Sequence, residues 1–214
     1  MRVENDLNRG ILIAIEGIDG AGKTTQAATL YQYLRDRGYR VLLLHEPTNS
    51  IFGRKIKESA VNGRHDPYEE LNYFIEDRRY DVAKNIEPAL REKSIVIMDR
   101  YYFSTIAYQG ARGIDLDQIK AMNEKISPKP DLTIVLDVAP NIGLSRIKQR
   151  GNSTPNHFER KTYLTKVQEI FKSMKDPSIQ IIDGARNTHE IADEILNMTL
   201  NILKPIERVA IEID

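Results

Sequence analysis

The chain has 214 residues, 41% of them hydrophobic, which suits one α/β core, so we expect a single domain over residues 1–214. It contains no cysteine, which excludes disulfides, thiolate nucleophiles and cysteine-ligated zinc. Its 31 basic and 31 acidic residues balance, so we expect no nucleic-acid partner. The longest apolar run, residues 11–15, is much shorter than the roughly 20 residues of a membrane span, so we expect no membrane partner and a cytoplasmic location.

Five short apolar runs predict strands: residues 11–15, 41–44, 95–98, 132–136 and 179–182. Four of these runs are largely uninterrupted, which is typical of strands that are covered on both faces of a sheet. Amphipathic patterns lie between these runs. In the first of them, Ala27, Leu30 and Leu34 fall at three- and four-residue spacing and predict a helix that ends near residue 37. The alternation of strands and helices predicts an α/β fold with a parallel sheet and helices on both faces.

A polar segment, RGNSTPN at residues 150–156, interrupts two helical patterns and contains Gly, Ser and Pro. It has two interpretations, a surface loop and a mobile lid. The second interpretation gives a lid of about residues 150–158.

The sequence GIDGAGKT at residues 17–24 matches the pattern G-x-x-x-x-G-K-[ST], follows the first predicted strand and opens the first predicted helix. Glycines in such a loop let backbone N–H groups surround phosphates at the start of a helix. Lys23 is predicted to reach the β- and γ-phosphates of a nucleoside triphosphate, and the Thr24 hydroxyl to bind Mg²⁺. The predicted nucleotide-binding residues here are Gly17, Gly20, Gly22, Lys23, Thr24 and Thr25.

The segment after the third strand narrows the choice among phosphate-loop proteins. The chain has no N-K-x-D motif, so a guanine-nucleotide switch is not favoured. Asp99 and Arg100 stand together at the predicted strand end, where the carboxylate can serve Mg²⁺ and the arginine can hold a second anion. The alternative is a structural salt bridge at the strand end.

Two further groups have the chemistry of a base pocket. Phe74 and Arg78 are four residues apart in a helical pattern, so they share a face, where a ring can stack on a base and a guanidinium can donate to its carbonyl. A core phenylalanine beside a surface arginine is the alternative. A second group of hydrogen-bonding side chains comprises Ser104, Thr105, Tyr108 and Gln109. Helical spacing places Ser104 and Tyr108 on one face, which is either a binding face or a solvated one.

Taken together, these segments resemble the thymidylate kinase (dTMP kinase) family. The DRY-x-x-S-x-x-A-Y-Q-G run is the most specific of them. The matching segments, in the order of the family, are EGIDGAGKTTQ (16–26), EPTNS (46–50), F-x-x-x-R (74–78), PAL (88–90), DRYYFSTIAYQGARGID (99–115), KPDLTIVLDVAP (129–140), RIKQRG (146–151) and IIDG (181–184).

The resemblance implies a P-loop nucleoside monophosphate kinase fold, with a doubly wound five-stranded parallel sheet, helices on both faces and a short lid. It implies the reaction of ATP with dTMP to give ADP and dTDP, in dTTP synthesis, with Mg²⁺ as cofactor. It also implies a homodimer.

By the same resemblance, the acceptor side would use the residues of the two groups above. Phe74 would stack on thymine, and Arg78 would donate to its carbonyl. Ser104 or Thr105, with Gln109, would contact the remaining base edge. The residues implied at the sugar and phosphate are Tyr108 near the deoxyribose, Asp19 near the sugar and Arg100 at the phosphate of dTMP.

On the donor side, the resemblance implies Asp99 and Thr24 at the metal, Arg146 and Arg150 as lid arginines beside ATP, and Arg186 beside the adenine loop. The catalytic residues implied are Lys23, Arg100, Arg146, Arg150 and Asp19. One class of these kinases has an arginine inside the phosphate loop. Gly20 stands there in this chain, so the chain resembles the other class, whose lid supplies that charge.

Within residues 152–158, His157 is the one residue that can become a cation, so the positive charge would come from Arg146, Arg150 or Arg160.

Three other interpretations of the function remain open at this point. A deoxynucleoside kinase would use Glu46 as a base toward a neutral hydroxyl. A kinase that acts on another monophosphate, such as dUMP, would differ only in whether the pocket has room for the 5-methyl group. A regulatory protein would bind the nucleotide without turning it over.

Overall fold

The computed structural model describes residues 7–151 and 157–206, apart from the side chains of residues 157–159. Five parallel strands form one sheet in the order β2-β3-β1-β4-β5. The strands are β1 (Ile11–Gly17), β2 (Val41–His45), β3 (Ile95–Asp99), β4 (Leu132–Asp137) and β5 (Ile179–Asp183). The predicted five-stranded parallel sheet of an α/β fold is therefore confirmed.

Each strand runs one or two residues beyond the apolar run that predicted it. The added residues are polar or glycine, for example Glu16 and Gly17 in β1 and Asp99 in β3. Apolar periodicity stops where the side chains stop packing into the core, but the ladder of backbone hydrogen bonds continues. Because all strands are parallel, these polar ends meet along one edge of the sheet, where open α/β sheets bind ligands.

Burial separates the central strands from the outer ones. Strands β1 and β3 are buried along their whole length, and β4 along all but its last residue. The outer strands β2 and β5 are partly exposed, so three strands rather than the predicted four are buried along nearly their whole length. Each has a strand neighbour on one side only, which leaves its outer flank to the solvent.

Helices surround the sheet in the described part of the chain, in agreement with the predicted doubly wound arrangement. They are α1 (Lys23–Asp36), α2 (Ile51–Asn62), α3 (Pro67–Asp81), α4 (Glu87–Arg91), α5 (Tyr102–Gly110), α6 (Leu116–Glu124), α7 (Pro140–Gln149), α8 (His157–Ser173) and α9 (Thr188–Leu203). Helix α1 packs on β1–β3 and on α9, while α5 packs on β1, α3, α6 and α8. A π-helical turn, Val82–Ile86, joins α3 to α4.

Local sequence accounts for where several helices begin and end. The side chains of Ser50, Asp66 and Asp115 accept backbone N–H groups at the starts of α2, α3 and α6. Helix α1 ends at Asp36, close to the predicted end near residue 37, and Gly38 follows with a φ of +83°.

The predicted lid falls mainly outside the described residues, which omit 152–156. Arg150 and Gly151 form the turn that ends α7. Helix α8 begins at His157, so the last two residues of the predicted lid, 157 and 158, are helical. No helix within residues 7–151 and 157–206 is long and apolar enough to cross a membrane.

The central strands carry much of the stability. Ile97 in β3 is fully buried, with β1 and β2 as neighbours on either side. We expect Ile97→Ala to lower the free energy of unfolding by about 2–5 kcal/mol, because it leaves a cavity that the sheet cannot close. The matched control Val61→Ala, at a residue 83% exposed on α2, should change it by less than about 0.5 kcal/mol. Urea denaturation followed by circular dichroism measures both, and equal losses would contradict the prediction.

Candidate functional site

The predicted phosphate loop lies between the end of β1 at Gly17 and the start of α1 at Lys23. Gly22 is the N-cap of α1 and has a φ of +104°. The Nζ of Lys23 donates to the Ile18 carbonyl at 2.7 Å, so the ammonium lies folded back over the loop. Burial, and then the charge of Arg100, lowers the pKa of Lys23 to about 7. An anion on the loop would favour the protonated form of this lysine.

A side chain at position 20 would not fit beside α7. Gly20 has a φ of +79°, and a Cβ there would lie 2.2 Å from the Gly143 carbonyl oxygen. In the other direction, a Cβ on Gly143 would lie 2.5 Å from the Asp19 carbonyl oxygen. Backbone therefore touches backbone at this contact, which is the physical reason for glycine at both positions.

Two oxygen ligands suited to Mg²⁺ meet next to this loop. The hydroxyl of Thr24 donates to Oδ2 of Asp99 at 2.5 Å, and Thr24 is exposed. Hydroxyl and carboxylate oxygens are ligands that Mg²⁺ accepts, and it usually keeps waters and substrate phosphates as the others. The described residues contain no cluster of three or more His, Cys, Asp or Glu side chains placed to hold a metal. This donor set thus fits a nucleotide-bound Mg²⁺ rather than an all-protein cage.

A cavity of about 210 Å³ lies beside the loop, toward α3 and α5. Seven of the eight predicted acceptor-site residues line it: Asp19, Phe74, Arg78, Arg100, Ser104, Thr105 and Tyr108. The remaining lining residues are Glu46, Pro47, Ile56, Lys57, Ala60, Arg64, Glu70 and Tyr101. The structure therefore brings together residues that are far apart in the sequence.

Arg78 forms a rigid part of the wall at one end of this cavity. It is buried, and its Nε donates to both carboxylate oxygens of Glu46, at 3.2 and 3.0 Å. Its Nη1 donates to Asn123 of α6, and its Nη2 donates to Glu46 and, at 3.1 Å, to Thr105. Burial raises the pKa of Glu46 to about 7, although the Arg78 charge opposes that rise. The alternative of a surface arginine at position 78 is wrong.

At the other end, Asp19 of the phosphate loop joins two arginines. Its Oδ1 accepts from Arg100 at 2.5 Å, and its Oδ2 accepts from Arg160 of α8 at 3.2 Å. The Tyr108 hydroxyl also donates to Oδ1, at 3.1 Å. Burial raises the pKa of Asp19, but the charges of Arg100, Lys23 and Arg160 outweigh it and leave that pKa lowered. Asp19 is therefore an anion among cations.

Gln109 lies behind the cavity rather than on its wall. It is fully buried, and its Nε2 donates to Glu70 at 3.1 Å. Glu70 lines the cavity and also accepts from Arg64 at 2.6 Å and from Arg112 at 2.9 Å. In this structure Gln109 thus orients Glu70. It does not line the cavity in which the base would lie.

A second cavity, of about 410 Å³, continues from the first past Asp19, Arg64 and Tyr108. It is also lined by Arg112, which follows α5, and by Arg160, Tyr163 and Leu164 of α8. Arg160 thereby faces the region next to the phosphate loop.

A third cavity, of about 120 Å³, lies on the other side of the loop. Four residues predicted for the donor side line it, namely Thr25, Arg146, Arg150 and Arg186, whereas Asp99 does not. The Nη1 of Arg146 donates to the Gly184 carbonyl at 3.1 Å, and Arg186 pairs with Glu194. The predicted donor and acceptor residues therefore form separate cavities on either side of one loop.

Several buried residues of the site were missed in the sequence. Glu16 is completely buried and accepts from the Tyr101 and Ser104 backbones and from the Ser104 hydroxyl. One signal for it was available, since it is a lone charge at the end of the apolar strand ILIAIEG. Glu70 and Asn123 carried no such signal, because each lies in an ordinary amphipathic pattern.

Comparisons with known proteins point to one family. The family model described as Thymidylate kinase matches residues 15–195. A protein of Archaeoglobus fulgidus named "Probable thymidylate kinase" is 51% identical over 185 residues, which cover 86% of this chain and 92% of the relative. The thymidylate kinase of Xylella fastidiosa strain M23 is 43% identical over 195 residues, 91% of this chain and 89% of the relative. That of Xanthomonas campestris pv. campestris strain B100 is 44% identical over 182 residues, 85% and 79% of the two chains.

The contact of α7 with the loop generates a test. We expect Gly143→Ala to displace the phosphate loop, because the added Cβ meets the Asp19 carbonyl, and to weaken ATP binding as well as lowering stability by about 1–3 kcal/mol. In the control Gly113→Ala, the Cβ meets nothing within 4 Å but the φ of +99° is strained, so stability alone should fall, by about 1–2 kcal/mol. Calorimetric ATP titration and thermal unfolding measure the two effects. An unchanged ATP affinity in Gly143→Ala would show that the contact does not shape the loop.

Proposed function

The chain belongs to the thymidylate kinase family, and we propose that its two-sided site transfers the γ-phosphoryl group of ATP to the phosphate of dTMP, giving dTDP and ADP in dTTP synthesis. One observation carries the assignment of the sides. Asp19 belongs to the phosphate loop and is hydrogen-bonded to Arg100, which lines the first cavity. A cation for an acceptor phosphate is therefore adjacent to the loop that would hold the donor.

The first cavity has the groups for a thymine nucleotide. The half-buried ring of Phe74 offers a stacking surface, and Arg78 offers a guanidinium whose position Glu46 and Asn123 hold. Thr105 lies next to that guanidinium at the same end. Tyr108 lies at the opposite end with Asp19, where the sugar would pass toward the phosphate.

Phosphoryl transfer to a phosphate monoester requires positive charge from the protein rather than a general base. A phosphate monoester has a second pKa of about 6, so the acceptor is largely a dianion at neutral pH and needs no deprotonation. The obstacle is the repulsion between two anions that must approach in line. Lys23 and Arg100 supply cations on the two sides of the transfer, and Asp19 offsets their mutual repulsion until substrates arrive.

Mg²⁺ is part of this proposal. Thr24 and Asp99 would hold it, and when bound it would supply positive charge that offsets the negative charge of the ATP phosphates.

The deoxynucleoside kinase interpretation is less well supported. It needs Glu46 as a base, yet Arg78 donates to both oxygens of that carboxylate. It also leaves Arg100 without an anionic partner on the acceptor. A monophosphate acceptor uses both residues.

We assign the additional positive charge at the transferred group to Arg160. Arg146 and Arg150 line the third cavity, and Arg146 is hydrogen-bonded to backbone carbonyls there. Arg160 instead reaches Asp19 from α8 and faces the second cavity. This assignment agrees with the class that lacks an arginine in the phosphate loop, where position 20 is glycine.

We also propose a single kinase domain over residues 1–214 with a lid near residues 150–158, working as a homodimer in the cytoplasm. The support for the dimer is the family resemblance. A molar mass of one chain by light scattering at micromolar concentration would refute it.

The substrate assignment predicts strong ADP formation from ATP and Mg²⁺ with dTMP, little with dUMP or dGMP, and none with thymidine. Arg100→Ala should raise the KM for dTMP and lower kcat/KM by the equivalent of about 2–5 kcal/mol, because a partly buried charge partner of the phosphate is lost. Arg91→Ala, at an exposed arginine that pairs only with Glu87 among the described contacts, is the matched control and should leave both constants unchanged. A coupled ADP assay measures these rates. Turnover of thymidine, or normal kinetics in Arg100→Ala, would overturn the assignment.

The arginine assignment predicts different kinetic defects for two variants. Arg160→Ala should lower kcat by about 100- to 1,000-fold, because it removes charge stabilisation at the transferred group. Arg150→Ala should chiefly raise the KM for ATP. The conservative variant Arg160→Lys should recover part of kcat, since it restores a charge without the planar donors. If Arg150→Ala instead loses kcat while Arg160→Ala does not, the two roles are reversed.

A further inference from the structure

We propose that Glu16 is a positioning residue for Arg100: its buried carboxylate fixes both the backbone and the side chain of the arginine that meets the acceptor phosphate. Glu16 itself touches no substrate and acts through Arg100. The inference rests on the proposed function, because it assumes that Arg100 binds the phosphate of dTMP.

The backbone of Arg100 is held in a conformation that its side chain disfavours. Its φ is +73°, in the left-handed region that non-glycine residues rarely adopt. The Arg100 N–H donates to the Ile15 carbonyl at 3.1 Å, and the next N–H, of Tyr101, donates to Oε1 of Glu16 at 2.9 Å. Two consecutive residues of β1 thus hold the peptide groups on either side of Arg100.

The same carboxylate also reaches the guanidinium through one hydroxyl. Ser104 donates its Oγ–H to Oε2 of Glu16 and accepts from Nη1 of Arg100 at 3.1 Å. The other terminal nitrogen, Nη2, is held by Asp19. Both ends of the guanidinium are therefore tied to the segment of chain that enters and forms the phosphate loop.

Glu16 is suited to this role because water cannot replace it. Its side chain is fully buried, and its two oxygens receive the N–H groups of Tyr101 and Ser104 and the hydroxyl of Ser104. The two N–H groups lie at the start of α5, where helix donors commonly need partners outside the helix, and the Ser104 N–H also donates to the Tyr101 carbonyl at 3.1 Å. Burial raises the pKa of Glu16, while these hydrogen bonds and the Arg100 charge oppose that rise.

The consequence is that β1 sets the distance between the donor loop and the acceptor cation. Glu16 directly precedes Gly17, where the loop begins, so a single strand end carries both. A loss of the Glu16 contacts would let Arg100 relax toward an ordinary φ and withdraw its guanidinium, without altering Phe74 or Arg78 at the base end.

The test compares ligands that differ only in the phosphate. We measure the Kd of dTMP, thymidine and ATP by isothermal titration calorimetry for wild type and Glu16→Gln. The glutamine keeps the size and one acceptor oxygen, but it presents an NH₂ group to Ser104 and removes the charge. We expect dTMP affinity to fall about tenfold or more, since hydrogen bonds to a charged group are disturbed, while thymidine and ATP change by less than about twofold.

Two further variants establish whether the effect passes through the arginine. In an Arg100→Ala background, Glu16→Gln should change dTMP affinity by less than about twofold, because the residue through which it acts is gone. Asp81→Asn replaces another buried carboxylate, outside the three cavities, and should leave the ratio of dTMP to thymidine affinity unchanged. Should Glu16→Gln not fold, Ser104→Ala cuts the side-chain link alone and should still weaken dTMP more than thymidine.

The outcomes separate this inference from the proposed function. Equal losses for dTMP and thymidine would make Glu16 a packing residue and overturn the inference, as would an undiminished effect in the Arg100→Ala background. If wild type itself binds dTMP no better than thymidine, the phosphate-binding role of Arg100 fails first, and the inference fails with it.

Discussion

Three cations of this site repel one another, and the negative charge of Asp19 offsets that repulsion. Arg100 comes from the β3–α5 junction, Arg160 from α8 and Lys23 from the start of α1, and the Asp19 carboxylate lowers the electrostatic cost of their proximity. Because Asp19 lies in the phosphate loop, its hydrogen bonds to Arg100 and Arg160 also hold these two arginines next to that loop. Elements that are distant in the sequence are held against the one loop where donor and acceptor would meet.

Much of the fold could be predicted because parallel sheets have strong local signals. The apolar runs located all five strands, and the loop motif located the turn between β1 and α1. What the pattern missed at each strand was its last residue or two. In β1 and β3 these include Glu16 and Asp99, whose side chains serve the site instead of the core. For these two strands, the end of the apolar run indicated where the site begins rather than where the strand stops.

The sequence indicated several of the residues that line the first cavity, but not the contacts that they make. Phe74, Arg78, Arg100 and Tyr108 line one cavity, as their spacing and the family resemblance implied. The partners that hold them come from elements far along the chain, such as Asn123 of α6 for Arg78. Such pairings depend on how helices pack over the sheet, and no local pattern records them. The same reason explains why Gln109, adjacent in sequence to Tyr108, lies behind the wall.

The contact between Gly20 and Gly143 has a consequence for the diversity of sequences that this fold accepts. Neither position can gain a side chain unless α7 moves away from the loop, so the two residues are constrained as a pair although they are remote in the chain. An arginine within the loop and a tightly docked α7 are thus alternatives that one backbone cannot combine. Steric exclusion, as much as the chemistry of phosphoryl transfer, then decides from which side of the site a cation can come.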